Sequence, residues 1–256
     1  GGWPMSVFMT PEKNPFFGGT YFRKPDFMNL CGRVNELWHD AEKRPLIEND
    51  AKRMREALAE NSTRKADPDA KLNLGMLTNG LEQIKATYDP RHGGFGNKPK
   101  FPRPCEPAFV LWQAARAKDK DGIRMVTHTC ERMAAGGMYD QLGGGFSRYS
   151  VDEMWLVPHF EKMLYDNAQL IHLYLDAYLV SGDARHADVV RDIIRYLRRD
   201  MTHEGGGWYS AEDADSEGQE GKFYCWTKAE LKKILNKKEA AVVIRHYGIT
   251  EHGNFE

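Results

Sequence analysis

The sequence predicts a mainly α fold built from repeated helical hairpins, and three observations support this fold class. Apolar residues recur at helical spacing in successive stretches of the C-terminal part of the chain. A phrase of two glycines and an aromatic residue returns several times, which is typical of a repeat architecture. The chain has 256 residues, of which 41% are hydrophobic, and is therefore long enough to bury a sizeable core.

The N-terminal part of the sequence predicts a β-hairpin followed by two helices. Residues 4–9 and 16–22 are short apolar runs, and a polar turn that contains prolines joins them. Apolar residues with helical spacing then follow in Cys31–Trp38 and in Asp50–Ala59. We therefore expect a small α/β arrangement at this end of the chain.

After these helices the sequence predicts a linker and a second, helical domain. Residues 61–72 are mostly polar and charged, so we predict a linker between a first domain over residues 1–60 and a second over residues 73–256. Near the chain's end, Thr227–Glu230 matches a capping box and Gly248 matches a helix-ending glycine. Apolar stripes with helical spacing lie around Leu74–Ile84, Phe109–Ala117, Ile123–Ala134, Phe160–Tyr178 and Val189–Leu197.

The glycine-aromatic repeat is the most informative feature of the sequence. It occurs in Tyr88–Phe95, Tyr139–Phe146 and Met201–Trp208, which we name the first, second and third glycine loops. The glycine pairs are 51 and 62 residues apart, so each repeat unit holds two helices. Equivalent loops of such an array lie at one end, where a ligand has access. We therefore expect a functional site beside the glycine loops.

The segment after the second glycine loop carries the densest group of polar side chains. A helix that begins near Pro158 or Phe160 would place His159, Lys162 and Asp166 on one face, because they are three and four residues apart. Three ionisable side chains of different type would then share one side of a helix near its N-terminus. This arrangement suits either a binding pocket or an ion-pair network that joins one hairpin to the next.

The pocket interpretation gives each of these residues a role. His159 would act as a general acid or base, since its ordinary pKa lies near neutral pH, and Glu161 would be its carboxylate partner. The side chains that would bind substrate hydroxyls are those of Lys162, Asp166 and Asn167.

Arg148 and Tyr149, which follow the second glycine loop directly, are further candidates for substrate binding. An arginine can hold a carboxylate or phosphate with two parallel hydrogen bonds, and a tyrosine can stack on a sugar ring. For Arg148 the alternative is a surface salt bridge. We expect Trp155 and Trp208 to form the floor of the same cavity, with Tyr149. The proline-rich segment 98–104 either faces this cavity or is a solvated linker.

An acidic run after the third glycine loop supplies the last candidates. Glu212, Asp213 and Asp215 lie between the aromatic pairs at 208–209 and 223–224, which we interpret as the arms of a hairpin. EF-hand calcium binding is excluded, because a tyrosine stands where that loop requires a bidentate glutamate. Carboxylates here would cleave a glycosidic bond or orient a substrate, with Asp213 catalytic and the other two binding. A solvated acidic turn is the alternative.

Composition and missing motifs exclude several classes of function. The 36 Lys and Arg residues balance 37 Asp and Glu residues, which disfavours nucleic acid and anionic membranes as partners. No apolar run is long enough to span a membrane, no signal peptide is visible, and four scattered cysteines predict free thiols, so we expect a cytoplasmic protein. Motifs for P-loop, Rossmann, zincin and serine-elbow chemistry are absent, and we expect neither a cofactor nor a metal.

Several phrases of the sequence resemble the YyaL family, which comprises thioredoxin-domain proteins and includes spermatogenesis-associated relatives. The resemblance covers nearly the whole chain and is carried by residues 1–8, 16–22, 140–149, 155–167 and 210–218. It implies a thioredoxin-like domain joined to an (α/α)6 toroid similar to six-hairpin glycosidases and N-acylglucosamine 2-epimerases. The chain would begin at the cis-proline segment of the first domain, with Pro4 in that role, and would hold about three hairpins. We thus expect a central piece whose partners include the missing parts of its own chain.

Three functions agree with these observations. The first is an enzyme that acts on a carbohydrate, either an isomerase or epimerase that uses His159 with neighbouring carboxylates, or a glycosidase with two carboxylates. The second is a thioredoxin-linked redox or chaperone-like protein whose toroid binds polypeptide, and the third is an interaction module without catalysis. If His159, Arg148 and Asp213 border one cavity, the first is favoured, whereas dispersed positions favour the third.

Overall fold

The computed structural model describes residues 4–62, 71 and 73–254. The chain divides into two units, Gly1–Leu72 and Asn73–Glu256. Of the predicted linker, residues 61 and 62 belong to the end of a helix, whereas residues 63–70 and 72 lie outside the described part of the chain.

The first unit contains a hairpin and two helices, as predicted. Strands β1 and β2 are antiparallel, and Phe8 lies opposite Phe17. The rings of Phe16 and Phe27 lie 6.3 and 6.2 Å from that of Phe8, so aromatic contacts join the hairpin to the first helix. The expected cis bond before Pro4 involves Trp3, which is outside the described residues. The elements are β1 (Met5–Met9), β2 (Pro15–Thr20), α1 (Lys24–His39) and α2 (Arg44–Ser62).

The second unit is mainly helical and confirms the predicted fold class. The helices are α3 (Gly75–Lys85), α4 (Cys105–Ala117), α5 (Lys120–Ala134), α6 (Leu164–Ser181), α7 (Ala184–Asp200), α8 (Lys228–Ile234) and α9 (Lys237–His246). Helices α4 and α5 form one hairpin and α6 and α7 the next. The two hairpins pack side by side, since α4 contacts α6 and α5 contacts α7. Within the described residues, no helix is long and apolar enough to cross a membrane.

Local signals account for several helix ends. Asp119 and Asp183 cap α5 and α7 by accepting hydrogen bonds from backbone amides of the first turn. The predicted capping box is present at Thr227, whose hydroxyl accepts from the Glu230 amide while the Glu230 carboxylate accepts from the Thr227 amide. Gly248 takes the left-handed conformation just after α9, as predicted.

Short strands connect the glycine loops to the helices that follow them. Strand β3 pairs with β4, β5 pairs with β6, and β7 pairs with β8, all antiparallel. The strands are β3 (Tyr149–Ser150), β4 (Pro158–His159), β5 (Lys162–Met163), β6 (Ala211–Glu212), β7 (Asp215–Ser216) and β8 (Gln219–Glu220).

Two predictions in this region are wrong. The helix expected to begin near Pro158 begins only at Leu164, because the backbone of residues 158–163 extends and pairs with other strands. His159, Lys162 and Asp166 therefore do not share a helix face. The aromatic pairs around the acidic run are not hairpin arms either, since the hairpin forms within the run itself, between β7 and β8.

One hydrophobic core holds the second unit together. It includes side chains from α4, α5, α6 and α7 and the aromatic residues that end the first two glycine loops. The hydroxyl of Tyr174 donates to the Cys130 carbonyl at 2.7 Å, so even this buried hydroxyl has a partner. The core residues include Phe95, Val110, Leu111, Val126, Cys130, Met133, Phe146, Trp155, Leu170, Tyr174, Ile193 and Tyr196.

Candidate functional site

The three glycine loops share one backbone arrangement, which confirms that they are repeats. A single β-bridge closes each loop, between Tyr88 and Phe95 in the first and between Tyr139 and Phe146 in the second. In the third loop the corresponding bridge joins Thr202 to Trp208 and encloses one residue fewer. Pairs of glycines with positive φ follow the turn in all three, as the tight reversal requires.

A buried lysine closes each of the first two loops. The Lys100 ammonium donates to an Asp89 carboxylate oxygen at 2.6 Å, and the Lys162 ammonium donates to Asp140 at 2.9 Å and to the Gly144 carbonyl at 3.0 Å. The exposed fractions of the two lysine side chains are 1% and 2%. Lys162, proposed from the sequence to bind substrate hydroxyls, is thus engaged inside the protein. Lys100, which the sequence analysis placed in a segment that faces the cavity or is solvated, is likewise buried in an ion pair.

Trp155 and Asn167 also lie inside the unit. Trp155 is fully buried, and its indole N–H donates to the His92 carbonyl at 2.9 Å. Asn167 is fully buried too, and its amide group bonds to both the N–H and the carbonyl of Phe146. The expectation that Trp155 forms the floor of a cavity is corrected, because its ring packs against Gly94 and its backbone against Gly136.

A chain of charged side chains passes through His159, which lies in strand β4. The Arg148 guanidinium donates to a Glu161 carboxylate oxygen at 2.8 Å, and the His159 Nε2 lies 3.8 Å from the same oxygen. The other ring nitrogen of His159 hydrogen-bonds to Glu220 at 2.6 Å. The Tyr149 ring stacks on His159 with centroids 5.0 Å apart. The structure therefore brings four predicted residues together and adds Glu220.

The acidic run contributes to this region differently from the prediction. Glu212 accepts hydrogen bonds from the hydroxyls of Tyr196 and Tyr224, at 2.7 and 2.9 Å. Asp213 is exposed, and among the described residues it makes no hydrogen bond or ion pair with His159 or Arg148. Asp215 is exposed in β7, and Trp208 is half-exposed at the third loop. The Glu217–Gly218 turn, both residues with positive φ, brings Glu220 back toward His159.

A cleft of about 460 Å³ lies beside this charged chain. The proline-rich segment 101–106 forms one side, which agrees with one of the two roles expected for it, and the start of α6 forms the other. The Phe101 ring contacts Tyr149 at a tilt, with centroids 4.6 Å apart, so the cleft borders the aromatic group that includes His159. Of the three residues expected to border one cavity, Arg148 lines this cleft, whereas His159 and Asp213 do not, so the expected convergence is not found. The lining side chains from the second side are Arg148, Tyr165, Asp166 and Gln169.

Asp166 lines this cleft, and burial changes the pKa of its carboxyl. Burial raises the pKa of its carboxyl to about 6, the charge of Arg148 opposes this shift and the charge of Glu161 adds to it. Its Oδ2 atom is buried and has no hydrogen-bond partner among the described residues. A carboxyl with a pKa near neutrality and a free oxygen can both give and take a proton.

Sequence comparisons identify close relatives. A family model named Thioredox_DsbH and described as a protein of unknown function, DUF255, matches residues 1–59. Spermatogenesis-associated protein 20 of Homo sapiens is 40% identical over 281 aligned residues that cover 99% of this chain and 36% of the relative. The Mus musculus protein of the same name is 38% identical, with 99% and 35% covered. The chain thus spans about a third of the length of these relatives.

Structure comparison gives matches among solved epimerases. Cellobiose 2-epimerase from Bacillus thermoamylovorans B4167 has a TM-score of 0.47 and 12% identity, and covers 68% of this chain and 53% of its own. A sugar epimerase from a ruminal bacterium has a TM-score of 0.45 and 15% identity, with the same coverage. The sequence matches, which extend over 99% of the chain, confirm the resemblance to spermatogenesis-associated proteins that its motifs indicate.

Proposed function

We propose that the cleft beside α6 binds a carbohydrate and that Asp166 transfers a proton there, in an isomerase or epimerase reaction. The observation that carries this proposal is the Asp166 carboxyl, which has a buried, unpartnered oxygen in a cleft shared with Arg148. Epimerisation removes a proton from the carbon next to a carbonyl and returns it to the other face. A carboxyl with a pKa of about 6 is suited to remove this proton near neutral pH and, in an isomerisation, to return it on the same face, whereas an epimerisation also needs an acid on the opposite face of the substrate.

The surroundings of Asp166 support a neutral, hydroxyl-rich ligand. Tyr165, Gln169 and Glu106 offer hydrogen-bonding groups along the cleft, and Phe101 offers an aromatic face. Carbohydrate sites combine these two kinds of surface, because a sugar ring has polar edges and an apolar face. Arg148 is held by Glu161, which leaves its remaining N–H groups to polarise a substrate carbonyl.

His159 has a supporting role in this proposal. It stacks on Tyr149 and is hydrogen-bonded to Glu220, and it lies beside the Glu161 oxygen that holds Arg148. The side chain therefore positions Tyr149 and Glu161 and does not itself face the cleft. This differs from the sequence-based expectation that His159 is the proton-transfer group.

The test is a solvent-exchange experiment on the full-length protein. Aldoses and reducing disaccharides are incubated in D₂O, and exchange of the C2 hydrogen is followed by NMR. We expect the Asp166→Asn variant to lower the exchange rate at least about 100-fold and His159→Ala to lower it about tenfold. Asp213→Asn, an exposed carboxylate on the same unit, is the matched control and should leave the rate unchanged.

Stability measurements separate a catalytic from a structural role for Asp166. Its pKa is raised in the folded state, so the folded protein loses stability as pH rises from about 4 through 6, where only the unfolded chain ionises freely. Asp166→Asn should therefore be more stable than the wild type at pH 7. Loss of stability in Asp166→Asn, or an exchange rate that does not depend on Asp166, would contradict the proposal.

Glycoside hydrolysis is a second candidate, and the Asp166 and Glu161 side chains favour it. Burial favours the protonated form of Asp166, whereas Glu161 is ion-paired with Arg148, so the two carboxyl groups have opposite environments. Hydrolysis of oligosaccharides would release new reducing ends without exchange of the C2 hydrogen. A reducing-end assay on the same samples distinguishes the two reactions.

A further inference from the structure

A cluster of potential metal ligands lies away from the cleft, where α5 and α7 meet. Glu131 is in the last turn of α5, Asp183 is the N-cap of α7, and His186 is in its first turn. One carboxylate oxygen from each acid and one imidazole nitrogen of His186 all lie within 4.8 Å of one another. Carboxylate oxygen and imidazole nitrogen are ligands that zinc and related divalent cations bind.

His186 distinguishes this cluster from an ordinary surface ion pair. Its exposed fraction is 2%, and its Nε2 is buried without a hydrogen-bond partner. Within the described residues this nitrogen makes no hydrogen bond, although burial of an unpaired polar atom costs free energy. A ligand that accepts a lone pair from the ring would remove that cost.

Arg185 bridges the two carboxylates. Its guanidinium Nη2 lies 3.0 Å from a Glu131 oxygen and 2.5 Å from an Asp183 oxygen. The Arg185 side chain is 73% exposed, so it can swing into solvent with little loss of packing. The guanidinium therefore supplies positive charge at a position that a metal cation could take.

We propose that Glu131, Asp183 and His186 form a binding site for a divalent transition cation such as Zn²⁺, with Arg185 as a built-in competitor. Three protein ligands leave one position of a tetrahedral zinc ion for water. The ligand atoms would move closer, since zinc ligands at about 2.0–2.1 Å from the ion lie about 3.4 Å apart. The positive end of α7 opposes a cation, and the two carboxylates offset this effect.

The site would join two neighbouring hairpins. Glu131 belongs to the α4 and α5 hairpin, whereas Asp183 and His186 belong to the α6 and α7 hairpin. A bound metal would therefore connect the end of one hairpin to the middle turn of the next and stabilise their packing. No sequence motif announces this site, because the first ligand is 52 residues from the second.

Metal titration of the full-length protein tests the proposal. Zn²⁺ affinity is measured by calorimetry, and Co²⁺ is used as a spectroscopic probe of the coordination. Glu131→Gln should weaken Zn²⁺ binding at least tenfold and remove the Co²⁺ absorption bands, because it deletes a ligand. Arg185→Ala should strengthen binding several-fold, because it removes the competing cation. Asp188→Asn and Arg191→Ala, an exposed ion pair on the same helix, are the matched controls.

Opposite effects of the two variants are the signature of this site. An ion-pair cluster without a metal would be weakened by both changes and would show no Zn²⁺ affinity that depends on Glu131. If Glu131→Gln and Arg185→Ala leave Zn²⁺ affinity equal to that of the controls, the site is refuted. His186 is buried, so its replacement would also disturb folding and is not used as the test. The decision rests on the variants of Glu131 and Arg185, whose side chains are partly or largely exposed. Circular dichroism confirms that each of these variants is folded.

Discussion

The second and third glycine loops share a sequence phrase but are held in place in different ways. In the second loop, a Cβ atom on Gly145 would lie 2.5 Å from the buried Tyr196 ring, and the Asp140 carboxylate is paired with buried Lys162. In the third loop, a Cβ on Gly207 would meet nothing within 4 Å among the described residues. His203 stands there at the position of the loop aspartate.

This difference between the two loops distinguishes two reasons why a loop position requires glycine. Gly145 and Gly207 both have φ near +80°, so each is needed for backbone conformation. Only Gly145 is also needed for the close approach of a helix, because the second loop packs on α7. A repeated phrase can therefore preserve a turn while the packing around it changes, and four pairs of variants make this comparison quantitative.

The largest effect is expected from the buried lysine. Lys162→Met leaves the partly buried Asp140 carboxylate without its cation, which should cost about 3 kcal/mol of unfolding free energy. Lys222→Met, an exposed lysine paired with Glu217, should cost less than about 0.5 kcal/mol. Urea unfolding measures both. The double variant Lys162→Met with Asp140→Asn should recover part of the loss, and failure to do so would mean that packing, not charge, is responsible.

The glycine pair gives the next effect. Gly145→Ala and Gly207→Ala share the cost of placing an alanine at positive φ, about 1 kcal/mol. Gly145→Ala should lose about 2 kcal/mol more, because the methyl group overlaps the Tyr196 ring. Equal losses in thermal unfolding would show that the second loop can move away from α7 freely.

Tyrosine hydroxyls provide a smaller contrast between the loops. The Tyr139 hydroxyl donates to Asp192 on α7 at 2.7 Å, whereas Tyr209, after the third loop, is about half-exposed. Tyr139→Phe should cost about 1 kcal/mol and Tyr209→Phe close to nothing. A comparable loss in both variants, measured by urea unfolding, would contradict the difference in packing.

The smallest expected effect is a dependence on pH. Burial raises the pKa of Asp140, but Lys162 and the amides of Gly143 and Leu142 lower it further, so it lies below its ordinary value. This carboxylate therefore contributes stability above about pH 4 that is lost as pH falls through its folded-state pKa. Asp140→Asn should flatten the acid limb of the stability profile, whereas Asp213→Asn should not. If the wild type and Asp140→Asn have identical acid limbs, the ion pair between Asp140 and Lys162 does not account for the loss of stability at low pH.

Helix positions were predicted well because helical periodicity is a local signal. The stripe at Leu74–Ile84 coincides with α3, and Ile123–Ala134 lies within α5. The start of α6 was missed, since the extended segment before it pairs with Ala211–Glu212, about fifty residues away. Such a partner overrides local propensity and is invisible in a window of sequence.

The candidate site shows the same limit. Four polar or aromatic residues that the sequence analysis named near the second glycine loop, Arg148, Tyr149, His159 and Glu161, form a connected set of contacts. Burial could not be predicted for Lys162, because ionisable side chains are buried only where a partner is supplied, here Asp140.

Sequence alone determined the helical class, the repeat and its turns, since periodicity, glycine conformation and capping residues act over a few neighbouring residues. Tertiary structure decided which polar groups face solvent. Lys162 in β5 and Asp166 in the first turn of α6 are both polar and only four residues apart, yet Asp166 lines a cleft and Lys162 is buried in an ion pair. Their roles depend on chain segments brought together by packing, because desolvation and charge pairing are set by three-dimensional neighbours.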